Sequence, residues 1–304
     1  MRFGGHETFA IREGWLHKGI RLLDNEPDKF EDEYVADWLG VGRNMAKSIK
    51  HWLAATEIAE RPLIPNSRNR GPLELTQLGG TILKCDPYLL EKGTWWALHV
   101  NLVNNIDHAA TWHWFFNHFL NVRFERATCI ESLRRYLVAN QARVPSLKTL
   151  QRDVACLLAT YAKDVPPAAV DPEDATDSPF RELNLLVHFR DSGSYGREPM
   201  TAVDIPSELV PYTLLSAKTQ LGQEQDHAEM TVRDACFMLG GPGRCFNLEL
   251  ETFYELCIDA ESTLGSDRFE VVSLAGERII RFKAMPRAQW LEAYFERLAR
   301  RDAA

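Results

Sequence analysis

The sequence predicts a mainly α-helical protein, with a winged helix-turn-helix domain at each end and a helical, aromatic-rich core between them. Apolar residues between positions 30 and 53 recur at helical spacing and are interrupted by Gly40 and Gly42. Residues 89–161 are dense in Trp and Phe, which is typical of a buried scaffold. Residues 231–282 repeat the first plan, with two helical stretches around a Gly- and Pro-rich turn and then two extended segments.

The first unit contains three predicted helices and a wing. We expect a helix over residues 12–23, and another over residues 30–39 with Phe30, Tyr34, Val35, Trp38 and Leu39 on one buried face. Gly40-Val-Gly42 permits a tight reversal. A helix over residues 43–53 follows, burying Met45, Ile49, Trp52 and Leu53. Two extended arms, near residues 63–64 and 73–75, then flank a turn rich in Asn, Ser, Gly and Pro.

Positive charge is concentrated in this unit. Six Lys or Arg lie between Gly42 and Gly71 against two acids, a local net of +4 in a chain whose formal net charge is −8. This charge asymmetry predicts that the first unit binds double-stranded DNA through a local basic surface. The residues predicted to bind DNA are Arg43, Asn44, Lys47 and Lys50 on the recognition helix and Arg68 and Arg70 on the wing. The alternatives are a solvated surface, or a winged helix that contacts only protein.

Four regions follow from these patterns. They are residues 1–84 (winged helix-turn-helix), 85–162 (helical core), 163–180 (acidic, Pro-rich linker or loop) and 181–304 (an α+β region ending in a second winged-helix-like domain). Ser146 is a predicted N-cap within the core. The helix near residues 249–261 carries several acids and no base, so we expect it to serve in dimerisation or internal packing.

Composition argues against a membrane-spanning or secreted protein. The 304 residues include no apolar run of membrane-spanning length, and the first residues lack the apolar segment of a signal peptide. Six cysteines occur without a Cys-x-x-Cys pair, which favours reduced thiols and a cytoplasmic location.

The sequence contains no standard catalytic motif. The sequence lacks an NTPase phosphate loop, a dinucleotide fingerprint and a nucleophile elbow. His6 is a candidate general base or metal ligand, and Glu7 a candidate metal ligand. Alternatively, Thr8 caps the following helix and His6 forms local hydrogen bonds. Glu31 and Glu33, with Asp32, are candidates for holding a divalent ion, although acids at the start of a helix are also explained by its dipole.

An ordered series of short motifs carries a resemblance that covers nearly the full length, apart from residues 163–178. The motifs are Gly5-His-Glu-Thr-Phe9 with Arg12 and Trp15-Leu-x-Lys-Gly19, Leu39-Gly-Val-Gly-x-Asn-Met45 with Ile49 and Trp52, Leu75-Thr-x-Leu-Gly79, Asp86-Pro-Tyr-Leu89, Thr94-Trp-x-x-Leu-His99, Trp114-Phe-Phe-Asn117, and Pro242-Gly-x-x-Phe246 with Ala275-Gly276. With them the chain resembles a bacterial family, formerly of unknown function, whose genes accompany DNA phosphorothioation. In the single-strand (Ssp-type) systems, the similar component is the B component, a DNA-nicking protein.

The resemblance implies a working context. Such a protein would act with a cysteine desulfurase, a sulfur-transfer enzyme and an ATPase in a modification and phage-defence system. Nicking would loosen the strand at the modified position, and it requires either a divalent ion (Mg²⁺ or Mn²⁺) or an acid–base pair. The family offers no catalytic signature to transfer, so His6, Glu7, Glu31 and Glu33 are candidates on chemical grounds.

Two functions therefore remain open. The first is a metal-dependent endonuclease that nicks one DNA strand and forms a homodimer, since dimers double the contact surface of one winged helix. The second is a non-catalytic DNA-binding adaptor or transcriptional regulator.

Overall fold

The computed structural model describes residues 1–64, 69–140, 144–167, 178–217 and 226–302, and helices dominate this part of the chain. The helices are α1 (Trp15–Asn25), α2 (Pro27–Glu31), α3 (Val35–Leu39), α4 (Arg43–Ala55), α5 (Gln77–Cys85), α6 (Lys92–Asn104), α7 (Ala110–His118), α8 (Arg126–Asn140), α9 (Leu147–Tyr161), α10 (Leu209–Ser216), α11 (Val232–Phe237), α12 (Pro242–Cys245), α13 (Leu250–Leu264) and α14 (Arg287–Asp302). Short 3-10 helices lie at Pro179–Leu183 and Ala202–Asp204.

The strands form small sheets. They are β1 (Ala59–Glu60), β2 (Glu74–Leu75), β3 (Arg123–Glu125), β4 (Ala162–Val165), β5 (Leu186–Phe189), β6 (Ser194–Arg197), β7 (His227–Thr231), β8 (Phe269–Leu274) and β9 (Glu277–Lys283). β1 and β2 make an antiparallel ribbon, the second sheet has the order β3-β6-β5-β4, and the third has the order β7-β9-β8. Within the second sheet, β4 and β5 run parallel. The prediction of a mainly α protein is confirmed.

The first unit packs α1 against α4. Gly19 of α1 permits the close approach, because a Cβ there would lie 2.7 Å from Cδ1 of Leu53. α3 ends at Gly40, whose positive φ of 64° turns the chain toward α4. After α4 the chain forms β1, an isolated bridge between Leu63 and Arg70, and β2. The predicted order of helix, tight turn, helix and extended ribbon is therefore present. The first strand lies at residues 59–60, however, and the arm predicted near residues 63–64 contributes only the bridge at Leu63.

The prediction of one continuous helix over residues 30–39 is wrong. α2 stops at Glu31 because Asp32 is extended (ψ 152°), and its Oδ1 accepts a hydrogen bond from the backbone N–H of Tyr34 at 3.0 Å. The break turns part of the predicted apolar face outward. Tyr34 is 57% and Trp38 49% exposed, whereas Phe30 and Leu39 are buried as expected.

The central region consists of α6 to α9 together with β3. Trp96, Phe115 and Phe116 are fully buried there, in agreement with the aromatic-rich core that the sequence predicts. Ser146 is the N-cap of α9, because its side chain accepts a hydrogen bond from the N–H of Thr149.

The segment predicted as a linker is partly ordered into the fold. Its first residues belong to β4, which pairs with β5, and residues 168–177 lie outside the described part of the chain. At its far end, Phe180 is fully buried with ring centroids 5.2 Å from Trp95 and 5.4 Å from Tyr161. These contacts correct the expectation of an exposed loop at the far end, because Phe180 supplies a large apolar anchor. At the first end residues 165–167 are exposed as expected, although β4 is a strand there and not a loop.

The C-terminal unit runs β7, α11, α12, α13 and the β8–β9 hairpin, so the predicted order of elements is present here too. Acids of α13 bind within the unit: Glu251 pairs with Arg278 of β9 at 2.9 Å, and Glu261 accepts the N–H of Val271 at 3.2 Å. This favours internal packing for the acidic helix. At either end of the chain, the assignment to the winged-helix class stays a prediction.

One contiguous hydrophobic core joins the units, from Ile11 near one end to Phe295 near the other. Among the described residues, no helix has the length and apolar character needed to cross a bilayer.

Candidate nucleic-acid interface

α4 is an amphipathic helix with a basic outer face. Ile49, Trp52 and Leu53 are fully buried, while Arg43, Asn44 and Lys47 are exposed on its N-terminal half. The helix contains three bases and no acid. The exposed side chains are among those the sequence predicts to read DNA. Ser48, next to Lys47 in the sequence, is buried and donates to the carbonyl oxygen of His6 at 3.0 Å.

Lys50 points away from that outer face. It is half-buried, with Nζ 5.3 Å from the centre of the Phe30 ring. Burial lowers the pKa of Lys50, and the neighbouring charge of Arg61 acts in the same direction against the opposing effect of Glu31. Lys50 therefore lines the cleft beside α4.

Glu31 of α2 forms an ion pair and a hydrogen bond with the chain around the ribbon. Its Oε1 lies 2.6 Å from Nη2 of Arg61 and also accepts the N–H of Leu73 at 3.4 Å. Burial acts to raise the pKa of Glu31, but the hydrogen bond from Arg61 and the charges of Lys50 and Arg61 outweigh it, so this pKa is lowered. Glu33 is exposed and is not among the residues that line the cleft.

The wing tip is described only in part. Arg70 lines the cleft and donates through Nη1 to the carbonyl oxygen of Arg61 at 3.2 Å. Arg68, the other predicted DNA-binding residue of the wing, lies outside the described residues.

A cleft of about 1270 Å³ lies between α4, the ribbon, residues 105–108 and the start of α14. Its charged lining is mixed, with a majority of bases over acids: Arg2, Lys47, Lys50, Arg61, Arg70 and Arg287 against Glu7, Glu57, Glu60 and Asp107. Arg61 is paired with Glu31, and Arg287 with Glu57 at 2.7 Å. The cleft thus continues the basic surface of α4 inward.

His6 lies behind this cleft in a buried network. The backbone N–H of Thr8 donates to its Nδ1 at 3.1 Å, so Nε2 carries the proton and donates to Oδ1 of Asp153 at 3.0 Å. Asp153 is also buried and accepts from the N–H of Gly4 at 2.9 Å and the hydroxyl of Thr111 at 3.0 Å. Both ring nitrogens of His6 are therefore engaged, which favours the structural interpretation of this residue.

Two details of that interpretation differ from expectation. Thr8 does not cap the following helix, because α1 begins only after Gly14 and Thr8 has a positive φ of 73°. Glu7, also at positive φ (50°), is partly exposed and lines the cleft instead of joining the His6 network. The structure therefore separates His6 from Glu7 and both from Glu33.

Two further histidines are placed at the cleft, and the sequence pattern assigned a role to neither. His51 of α4 is 5% exposed, and neither of its ring nitrogens has a hydrogen-bond partner among the described residues. Nδ1 of His108 is likewise buried without a partner in that part of the chain. One signal was available for His51, because it follows Lys47 by four residues and so shares its side of the helix.

The acids predicted to hold a divalent ion do not form a cluster in the described part of the chain. Among the described residues, no group of three or more His, Cys, Asp or Glu side chains is arranged to hold a metal ion. The acids of residues 31–33 do not form such a group, since Glu31 is occupied by Arg61.

Fold and cleft together define a mainly helical protein with small sheets, in which a basic helix and a two-stranded ribbon border one mixed-charge cleft. A sequence model of one family, described as a protein of unknown function (DUF4007), matches residues 3–295, so the chain belongs to this family. A search of curated proteins found no match.

Two crystal structures of SspB are similar to this chain. One, described as magnesium ion-bound, has a TM-score of 0.82 and 24% identity, and the other has a TM-score of 0.81 and 25% identity. Each match covers 97% of this chain and 87% of the other. The similarity confirms the predicted resemblance to the B component of Ssp-type systems.

Proposed function

We propose that this protein binds double-stranded DNA through a winged helix-turn-helix unit formed by α1 to α4 and the β1–β2 ribbon, and nicks one strand in a phosphorothioation system. The observation that carries the DNA-binding part is α4, which has three bases and no acid and exposes Arg43, Asn44 and Lys47. A helix of this kind fits the major groove, with its N-terminal residues at the base edges. The nicking part rests on the similarity to SspB.

The cleft beside α4 adds a second surface for the backbone. Arg2, Lys47, Lys50 and Arg70 line it, and none of them has a carboxylate partner among the described residues. DNA lying along α4 would pass the mouth of this cleft, where these side chains would neutralise phosphates.

The first test of the proposal is DNA binding by Arg43→Glu with Lys47→Glu. Both side chains are exposed, so we expect the fold to survive. We expect affinity for duplex DNA to fall at least about 100-fold at moderate salt, because Arg43 is lost from a base edge and Lys47 from a phosphate. The slope of log K against log salt should shrink by roughly 1, since about 0.9 unit is lost for each phosphate contact. The measurement is fluorescence anisotropy over a salt series.

A matched control has the same change in net charge elsewhere. Arg134→Glu with Arg135→Glu alters two exposed bases of α8. We expect this variant to bind DNA within about threefold of the unaltered protein, because charges beyond a Debye length of roughly 10 Å are screened. Equal losses for the two variants, or none for the first, would remove the assignment of α4 as the recognition helix.

Nicking is tested with supercoiled plasmid and purified protein, with Mg²⁺, with Mn²⁺ and with chelator. Conversion to open circles only with metal supports a metal-dependent endonuclease, in line with the magnesium ion-bound SspB. Salt-sensitive binding without conversion, repeated with the sulfur-transfer enzyme, ATPase and desulfurase present, favours a non-catalytic adaptor or regulator. Sedimentation of the same samples tests the proposed homodimer.

A further inference from the structure

His51 is the buried polar side chain that the fold leaves unsatisfied. It is 5% exposed, and Nδ1 and Nε2 both lack a hydrogen-bond partner among the described residues. About nine in ten or more buried polar groups in proteins have a partner, so an imidazole with none has both ring nitrogens available to a polar ligand. His51 also lines the cleft, and this places the unsatisfied ring beside a space that a ligand can enter.

Gly5 and Arg2 form the surroundings of the ring. A Cβ on Gly5 would lie 2.5 Å from Nδ1 of His51 and 3.1 Å from Nε of Arg2. Only glycine leaves room for both groups here, and it brings a guanidinium next to the imidazole. The Arg2 side chain is exposed, so it can move aside and open the ring to the cleft.

Two other histidines lie near the His51 ring. His6 lies with its ring centroid 6.0 Å from that of His51, and His108 comes from the segment between α6 and α7. Burial, followed by the charges of His6, Arg2 and His108, lowers the pKa of His51 to about 3. The His51 ring is therefore neutral near pH 7, and the Arg2 guanidinium is the positively charged group beside it. Glu7 and Asp107 line the cleft as the opposing acids.

We propose that His51, Arg2 and His108 form a phosphate-binding site on the inner wall of the cleft. Its ligand is a tetrahedral phosphate, either a phosphodiester of the DNA backbone or the free anion. A neutral imidazole offers one N–H to a phosphate oxygen, and the guanidinium offers up to five donors in a planar fork. The DNA source of the phosphate rests on the function proposed above, whereas the site itself does not.

The binding test uses the full chain with ¹⁵N-labelled histidine. Long-range ¹H–¹⁵N spectra follow the ring nitrogens during a titration with inorganic phosphate, with sodium chloride of equal ionic strength as the reference. His51 is assigned from the resonances that His51→Asn removes. We expect a saturable shift of the His51 nitrogens with phosphate but not with chloride. Phosphate affinity should be at least about tenfold weaker in Arg2→Ala, and also in His51→Asn, where the ring nitrogens of His108 report binding.

His227→Gln is the matched control, since His227 is exposed on β7 and does not line the cleft. We expect it to bind phosphate as the unaltered protein does. If His51→Asn does not fold, Arg2→Ala carries the affinity test, because Arg2 is exposed and its loss removes a phosphate donor without opening the core. A folded His51→Asn or Arg2→Ala that binds phosphate with unchanged affinity overturns the site.

A second titration, with a short duplex oligonucleotide, identifies the source of the phosphate. Shifts of His51 with both probes indicate a backbone phosphodiester, and shifts with inorganic phosphate alone indicate the free anion. If the His51 nitrogens shift with neither probe, the proposed phosphate site is rejected. The two proposals can be told apart. If the protein nicks plasmid but the His51 nitrogens do not shift with either probe, only this phosphate site is wrong. If it binds phosphate but not DNA, only the proposed function is wrong.

Discussion

His6 and Glu7 are neighbours in the sequence, yet the fold uses them differently. His6 is buried among Trp52, Trp112 and Asp153, while Glu7 faces the cleft. The sequence singles out both residues as chemically notable, but it cannot show that a carboxylate 147 positions away accepts the proton of His6. A side chain with both nitrogens engaged and no solvent access is a poor first choice for a general base.

We therefore expect His6→Ala and Glu7→Ala to behave differently. His6→Ala leaves a cavity and removes one partner of buried Asp153, so it should destabilise the protein by about 3 kcal/mol. Glu7→Ala should change the stability by less than about 0.5 kcal/mol, because Glu7 is partly exposed and outside the network. The measurement is urea unfolding of each variant with plasmid nicking alongside. A stable His6→Ala variant that has lost nicking would restore His6 as a catalytic candidate.

At the scale of elements, the start of α5 shows how a short motif fixes a junction. The hydroxyl of Thr76 accepts the N–H of Gly79 at 3.1 Å and donates to the carbonyl oxygen of Glu57 at 2.8 Å. Gly79 itself lies against the backbone that follows α4, where a Cβ would come 2.2 Å from the carbonyl oxygen of Ile58. This junction sets the angle between α4 and the ribbon, and hence the width of the cleft.

Gly79→Ala and the adjacent Gly80→Ala should have effects of opposite sign. Gly79→Ala forces backbone apart and should cost about 2 kcal/mol, in the range of overpacked sites. Gly80 is exposed, and a Cβ added there would meet nothing within 4 Å, so alanine should stabilise the helix by about 0.5 kcal/mol. Thermal unfolding of the two variants gives the comparison. Equal melting temperatures would mean that the chain relaxes freely at Gly79.

The elements themselves were largely predictable because their signals are local. Helical spacing, the glycines at residues 40 and 42 and the cap at Ser146 act over a few residues, and the structure agrees with each. The break at Asp32 was missed because an extended aspartate and a helical one leave the same apolar spacing. The cleft was not predictable, since His51 and His108 meet only through the packing of α4 against residues 105–108.

At the scale of the whole molecule, polar contacts inside the protein join segments far apart in the sequence. The carboxamide oxygen of Asn117 accepts the N–H of Gly240 at 2.5 Å, which links α7 to the turn before α12. Arg287 at the start of α14 donates to Glu57 at 2.7 Å, to Asn101 at 3.0 Å and to Ser216 at 3.2 Å. One guanidinium thus connects α6, α10 and the turn that follows α4, and it forms part of the cleft wall.

Arg287→Ala should consequently weaken the assembly far more than the loss of a surface arginine. Arg287 is only partly buried, with 34% of its side chain exposed, and its removal leaves the Glu57 carboxylate without its ion-pair partner and Asn101 without one donor, so we expect a cost of about 2 kcal/mol. Arg281→Ala is the matched control, because Arg281 pairs with Glu229 and Glu270 on the exposed face of the third sheet and should matter by less than about 1 kcal/mol.

The measurement for both variants is denaturant unfolding followed by two probes, tryptophan fluorescence and far-ultraviolet circular dichroism. Because one core runs from Ile11 to Phe295, the unaltered protein should show coincident transitions. In Arg287→Ala we expect the transition to move to lower denaturant, with the probes separating if the C-terminal unit detaches first. Equal, small effects of the two substitutions would mean that apolar packing alone holds α14 in place, and the cleft would then owe its shape to the core and not to the Arg287–Glu57 ion pair.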